Sequence, residues 1–267
     1  MHKSASRAQA LDGEAACQNP QEERIPQDNQ PGKCSAYFKK NKTKPWLKKM
    51  WCIQEITPEF RQRMYDLLDL YKEPYNPRLP LIGVDEKPKQ LVEDSRPPIP
   101  MRPGKPEKYD YEYVRNGNAN IFMAVEPKHG RRNTKVTRQR TNKDFAQFMG
   151  ELVSFYPYAK KLRIVLDNLS THSKKAFYEA FGEEEAERIL SRLEFHYTPK
   201  HASWLNVAEI EIGVMDTECT DRRIKNISFL KSEVNAWTKR RNEERCTIDW
   251  RFTREDADKK LGKHYVT

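Results

Sequence analysis

Two aspartates draw attention by where they fall. Asp85 closes the apolar run LIGVD, and Asp167 closes KLRIVLD. Acids at the ends of buried strands are well placed to meet in a crevice at the edge of a sheet. A third acid on a following helix would complete a set of hard oxygen donors suited to Mg2+ or Mn2+. Two such ions, roughly 3.5 to 4 Å apart, activate a water on one side of a phosphodiester and stabilise the leaving oxygen on the other. Without a cation, gathered carboxylates repel and raise one another's pKa, so the arrangement is chemically sensible chiefly as a cation site. The plainer alternative is that each aspartate caps the helix after its strand, or serves a different strand-end chemistry. Some rivals are excluded: the chain has no GxxxxGK[ST] loop and no GxGxxG after a strand, and Asp85 is followed by Glu-Lys rather than by the spacing of a DxD phosphotransfer site.

The elements that must position these acids read as an α/β pattern. TPEFRQRMYDLLDLY, residues 57–71, has Thr at a helix cap, Pro at the first helical position and an apolar stripe of Phe60, Met64, Leu67, Leu68 and Tyr71. The run LIGVD follows as a buried strand, expected to stop at Pro88, and then a polar loop, Lys89 to Lys108, with five prolines. Residues 109–137 read as an antiparallel meander with turns at Asn116-Gly117 and at Gly130. Asn142 to Phe155 reads as a helix, Lys161 to Asp167 as a strand, then a helix, and a short strand at Leu193 to Tyr197. Leu205 to Asp216 and Ser228 to Arg241 read as helices, and the last stretch as a helical turn and a tail, expected from residue 251 to 267.

Composition sets the wider frame. The 267 residues carry 37% hydrophobic and 33% charged side chains, with a mean hydropathy of −0.96, polar for a folded protein yet sufficient for a core. A net charge of +10 points to a polyanionic partner, most commonly nucleic acid. No apolar run approaches the roughly 20 residues of a spanning helix. Cys17, Cys34, Cys52, Cys219 and Cys246 show neither CxxC pairs nor zinc-ligand spacing, and are expected as reduced thiols. Residues 1–36 are poor in aromatic and β-branched side chains and are expected as a disordered tail. YFKKNKTKPWLKKMW, residues 37–51, is a basic, aromatic-bearing linker that could follow a phosphate backbone, or pack Trp46 and Trp51 on the domain with its lysines in water. The linker and amphipathic helix take up 37–78, and the domain carrying both aspartates 79–250.

VDEKPKQL, VLDNLSTH and YTPKHASWLNVAEIE, in that order and with YVRNGNANIF between the first two, resemble the bacterial insertion-sequence branch of the mariner transposase superfamily. The resemblance implies a ribonuclease H-like mixed sheet flanked by helices, and a DDE-type triad that uses Mg2+ or Mn2+, as two ions, to cut DNA and join the freed 3′ end to a target. Carried over, the triad is Asp85, Asp167 and Glu209, both catalytic and metal-binding. Glu211 competes for the third place. Two positions on a helix are about 200° apart, so Glu209 and Glu211 cannot both face one metal pair, and the motif favours Glu209. Lys87, Lys89, Arg102, Lys105, Arg131 and Arg132 are candidate phosphate contacts, against solvation as ordinary surface cations. His172 is a candidate for DNA binding or proton transfer, or for a helix-start hydrogen bond. Trp204 is a candidate for base stacking, or anchors its loop, and Asn168 orients an aspartate, contacts phosphate or starts a turn.

The N-terminal helix-turn-helix region that reads transposon ends in full-length relatives is expected to be missing or reduced here. Expected partners are therefore transposon-end and target DNA, a second copy of the chain in a homodimer on DNA, and a separate helix-turn-helix protein, at a cytoplasmic, nucleoid-associated location. The alternatives are a basic nucleic-acid-binding protein that has lost turnover, and another ribonuclease H-like nuclease.

Overall fold

Strand β1 (Leu81–Asp94) is the spine of the fold. The computed structural model describes residues 55–167 and 173–266, which from Ile56 onward belong to one compact unit, Ile56–Thr267. β1 pairs antiparallel with β2 (Tyr113–Glu126), and β2 with β3 (Arg131–Thr137). On its other side β1 pairs parallel with β4 (Leu162–Leu166), which pairs parallel with β5 (Leu193–Tyr197). The order β3-β2-β1-β4-β5 gives a mixed five-stranded sheet.

Helices cover both faces. α1 (Pro58–Lys72) starts as its sequence requires, with Thr57 Oγ1 accepting from Phe60 N and Pro58 in the first turn. α2 (Asn142–Ser154) starts with a capping box between Thr141 and Asp144. α2, α3 (Lys174–Phe181) and α4 (Glu183–Leu190) cover one face, where Phe145, Phe148, Met149, Phe177 and Ile189 pack on Ile82, Val84, Phe122 and Ala124. α1, α5 (Val207–Met215), α6 (Ile227–Glu243) and α7 (Arg254–Leu261) supply the other cover. Met64, Leu67 and Leu68 pack there with Leu81, Val125 and Val165, while Leu230, Val234 and Trp237 pack with Ile121 and Met123.

Four local expectations change. β1 does not stop at Pro88 but runs on to Asp94. β4 pairs only with Leu81–Gly83, so beyond that point one edge of β1 is open and a proline costs no ladder bond there. Asn116-Gly117 is not a hairpin turn. Gln90 faces Asn118 and Val92 faces Arg115, so two residues of β2 stand opposite Leu91 alone in a β-bulge, with Gly117 at φ 94°. The helix expected after Asp167 is two, divided by Gly182 at φ 78°. The stretch expected as a tail holds α7, whose Ala257 and Leu261 are buried with α1, and Ile56 bridges Tyr265. The expected turn at Gly130 is present. The basic linker, including Trp46 and Trp51, and the first 36 residues lie outside the described residues, as do Cys17, Cys34 and Cys52; Cys219 and Cys246 are free thiols.

Candidate active site

The open edge of β1 beyond Gly83 is where the acids lie. Gly83 is in register with Val165, and continuing that parallel register by two residues sets Asp85 beside Asp167, just past the end of β4. α5 brings the third acid by an unusually close approach. A Cβ on Gly83 would meet Val207 Cγ1 at 2.5 Å and the Ala208 backbone nitrogen at 3.0 Å. Only glycine lets the helix N-terminus sit directly on the strand two residues before Asp85.

Asn206, fully buried, joins the two elements. Its Nδ2 donates to Val84 O at 2.8 Å, and its Oδ1 accepts from Ala208 N at 3.1 Å as the cap of α5. The Tyr71 hydroxyl, from α1, donates to Leu205 O at 2.8 Å and accepts from Val207 N at 3.3 Å. Glu209 in the first turn of α5 is thereby held toward β1, where its negative charge also suits the helix dipole.

Burial pushes the Asp85 carboxyl up to about 7. A hydrogen bond from Glu86 N opposes the shift, and the charges of Asp167, Glu86 and Glu209 add to it. All three charged neighbours raising it are acids, so the electrostatic deficit at this place is positive charge. Hard carboxylate oxygens in a cation-poor crevice suit a divalent metal. Among the described residues no three His, Cys, Asp or Glu side chains already converge on one point, so the site is an open acidic crevice rather than a closed cage.

Glu211 is a different kind of acid. It is fully buried and clasped by two arginines: Arg132 Nε and Nη2 donate to its two oxygens at 2.9 Å each, and Arg241 Nε and Nη2 at 2.9 and 3.2 Å. Both of its oxygens are engaged by these guanidiniums.

Several cations expected on DNA are likewise engaged within the protein. Arg132 is 1% exposed and cannot reach a phosphate; besides Glu211 it donates to Gly130 O at 2.7 Å. Lys87 is paired with Asp216, and Lys89 donates to the carbonyls of Thr220 and Arg222, tying β1 to the π-helical turn Asp216–Thr220 that prolongs α5. Arg131 lies 4.9 Å over the Tyr156 ring, at the turn opposite the acid end of the sheet. Trp204 is partly buried with its ring edge-on to Phe252, 5.4 Å between centroids, as a loop anchor would be. Arg102 and Lys105 stay exposed on the loop between β1 and β2, which their backbones close by mutual hydrogen bonds. His172 and Asn168 lie outside the described residues. Sequence reasoning missed Asn206, although an Asn directly before an apolar helical run is a cap signal.

The model of the DDE superfamily endonucleases matches residues 80–231, more than half of the chain and the whole span from β1 through the start of α6. The chain belongs to that family. Its fold is shared with solved mariner transposase complexes. A pre-cleavage Mos1 transpososome matches with a TM-score of 0.53 at 11% identity, covering 92% of this chain and 82% of the other. The Mos1 mariner paired end complex with Mn matches with a TM-score of 0.50 at 12% identity and the same coverages. No curated protein matches the chain.

Proposed function

We propose that this protein is the catalytic part of a DNA transposase of the insertion-sequence type, in which Asp85, Asp167 and Glu209 hold a pair of Mg2+ or Mn2+ ions for strand cleavage and strand transfer. What supports the reading most is the acid crevice: Asp85 lies two residues past the last paired position of β1 and β4 and feels the charges of Asp167 and Glu209, the latter on a helix that rests on Gly83. Membership of the DDE superfamily endonucleases supports it, as does the Mos1 mariner paired end complex of the same fold, which contains Mn.

When bound, the ions supply Lewis acidity to the phosphate and lower the pKa of the attacking water or 3′-hydroxyl. The chain's own part is electrostatic and geometric. Three carboxylates on β1, β4's end and α5 set where positive charge can sit, and Asn206 and Tyr71 hold α5 to the strand so that Glu209 keeps its place. Proton loss from Asp85, whose carboxyl is held near 7, accompanies loading of the site.

The wider reading follows the same resemblance: DNA as substrate at both transposon end and target, a homodimer on DNA, a separate helix-turn-helix protein to read the ends, and a cytoplasmic, nucleoid-associated place in a bacterial cell. No helix among the described residues is long and apolar enough to cross a membrane.

Nicking and joining of a supercoiled plasmid in Mg2+ or Mn2+ tests the reading. Asp85→Asn, Asp167→Asn and Glu209→Gln are each expected to reduce both steps by ~1000-fold or more, the equivalent of several kcal/mol of transition-state stabilisation. Metal-dependent nicking that survives all three would overturn it.

A further inference from the structure

With Lys87, Lys89 and Arg132 committed inside the protein, a duplex lying on the acid crevice needs cations from elsewhere. The end of the sheet supplies them. β3 runs parallel to β1, so its C-terminus lies at the same end as Asp167, and Thr137 aligns through Asn120 with Pro88, three residues beyond Asp85. At ~3.3 Å per residue along the strand and ~4.8 Å per strand across, Thr137 stands roughly 14 Å from Asp85, about four base-pair steps of a B-form duplex.

The loop that follows and the first turn of α2 carry Arg138, Arg140 and Lys143, all exposed and in no ion pair with a described residue. It is also held in shape. Thr137 Oγ1 donates to Gln139 O at 2.5 Å, and Thr141 caps α2, with Asp144 N donating to its Oγ1 at 3.1 Å. The one acid of the segment, Asp144, is engaged by the helix cap, accepting from Thr141 N at 3.0 Å and Oγ1 at 2.6 Å. A pre-shaped loop with three uncommitted cations loses little entropy on meeting a phosphate backbone.

We propose that the β3–α2 loop and the first turn of α2, through Arg138, Arg140 and Lys143, form a sequence-independent DNA phosphate contact that lays the duplex across the acid crevice. This rests on DNA being the substrate of that crevice, but needs no turnover. The test is duplex binding in EDTA, on DNA of arbitrary sequence, across a salt series. Arg138→Gln/Arg140→Gln/Lys143→Gln is compared with Arg78→Gln/Lys160→Gln/Lys161→Gln, an equal loss of charge from exposed residues at the opposite end of the sheet, where Lys160 N bonds Arg78 O.

The slope of log K against log[salt] is expected to shrink by about 2 to 3 for the loop triple, at roughly 0.9 per lost contact. It should not change for the opposite-end triple, and Arg138→Lys/Arg140→Lys/Lys143→Arg should keep the native slope. An unchanged slope for the loop triple, or equal losses from both triples, overturns the proposal. Because catalysis is not read, failure of the metal triad would show in the plasmid assay and leave this outcome intact.

Discussion

α5 carries two glutamates two residues apart whose surroundings are opposites. Glu211 is sealed in protein with two guanidiniums bonded to its oxygens, a buried acid whose counter-charge is built in. Glu209 faces a crevice in which every charged neighbour that raises Asp85 is itself an acid. The contrast separates two uses of a carboxylate. Where the chain provides the cation, the acid is structural; where the chain gathers acids and withholds the cation, the counter-charge must come from solution.

The sharpest way to test that contrast is to neutralise each glutamate in turn. Glu209→Gln should lose ~1000-fold or more of plasmid nicking while the thermal unfolding midpoint in EDTA stays close to native. Glu211→Gln should do the reverse. Leaving the guanidiniums of Arg132, buried, and Arg241, partly buried, without their shared carboxylate is expected to destabilise by ~3 kcal/mol or more in urea titration. Any residual folded protein should still bind Mn2+, and if Glu211→Gln instead unfolds normally but loses the metal, the roles assigned to the two acids are wrong.

Asn206→Ala comes next in size. It removes the cap of α5 and leaves Val84 O without its buried donor, so ~1–3 kcal/mol of stability should go. Activity should fall further than stability accounts for, because Glu209 rides on that helix; rescue by Asn206→Asp, which restores the cap but not the donor, should be partial.

An effect of similar size, seen only above pH 7, concerns pH in the absence of metal. The folded-state carboxyl of Asp85 lies near 7, above its ordinary value of 3.8. The folded state therefore binds more protons than the unfolded one between about pH 4 and 7, and stability contributed by the protonated group is lost as pH rises through that window. Asp85→Asn should match the native protein near pH 4 and exceed it by ~1–3 kcal/mol above pH 7 in EDTA, a figure discounted for partial exposure. Adding Mn2+ should reverse the order by stabilising only the native chain.

Much of this architecture was legible beforehand because it rests on local signals. Thr57-Pro58 announces α1, and the apolar runs ending at Asp85 and Asp167 announce β1 and β4, since a strand buried on both faces needs an unbroken apolar run. What was not legible depends on partners distant in sequence. Asn116-Gly117 carries the composition of a tight turn, yet the strand continues through it as a bulge because the facing β1 also continues past Pro88. Nothing near Arg132 in sequence tells that Glu211 and Arg241 will enclose it. Sequence reading counts a cation as available to DNA until the fold discloses a carboxylate or carbonyl already holding it, as it does for Lys87 and Lys89.

Gly83 is a further case. The spacing between the strand that bears Asp85 and the helix that bears Glu209 is set by the Gly83 main chain lying directly against the Val207 side chain, the Asn206 side-chain oxygen and the Ala208 backbone nitrogen. Core side chains away from this contact can repack without altering that spacing, whereas a change of volume at Val207 or Asn206 is felt there at once. The same closeness leaves position 83 with almost no freedom: even a methyl group there would press the helix away, so a residue with no chemistry of its own governs how near Glu209 comes to Asp85.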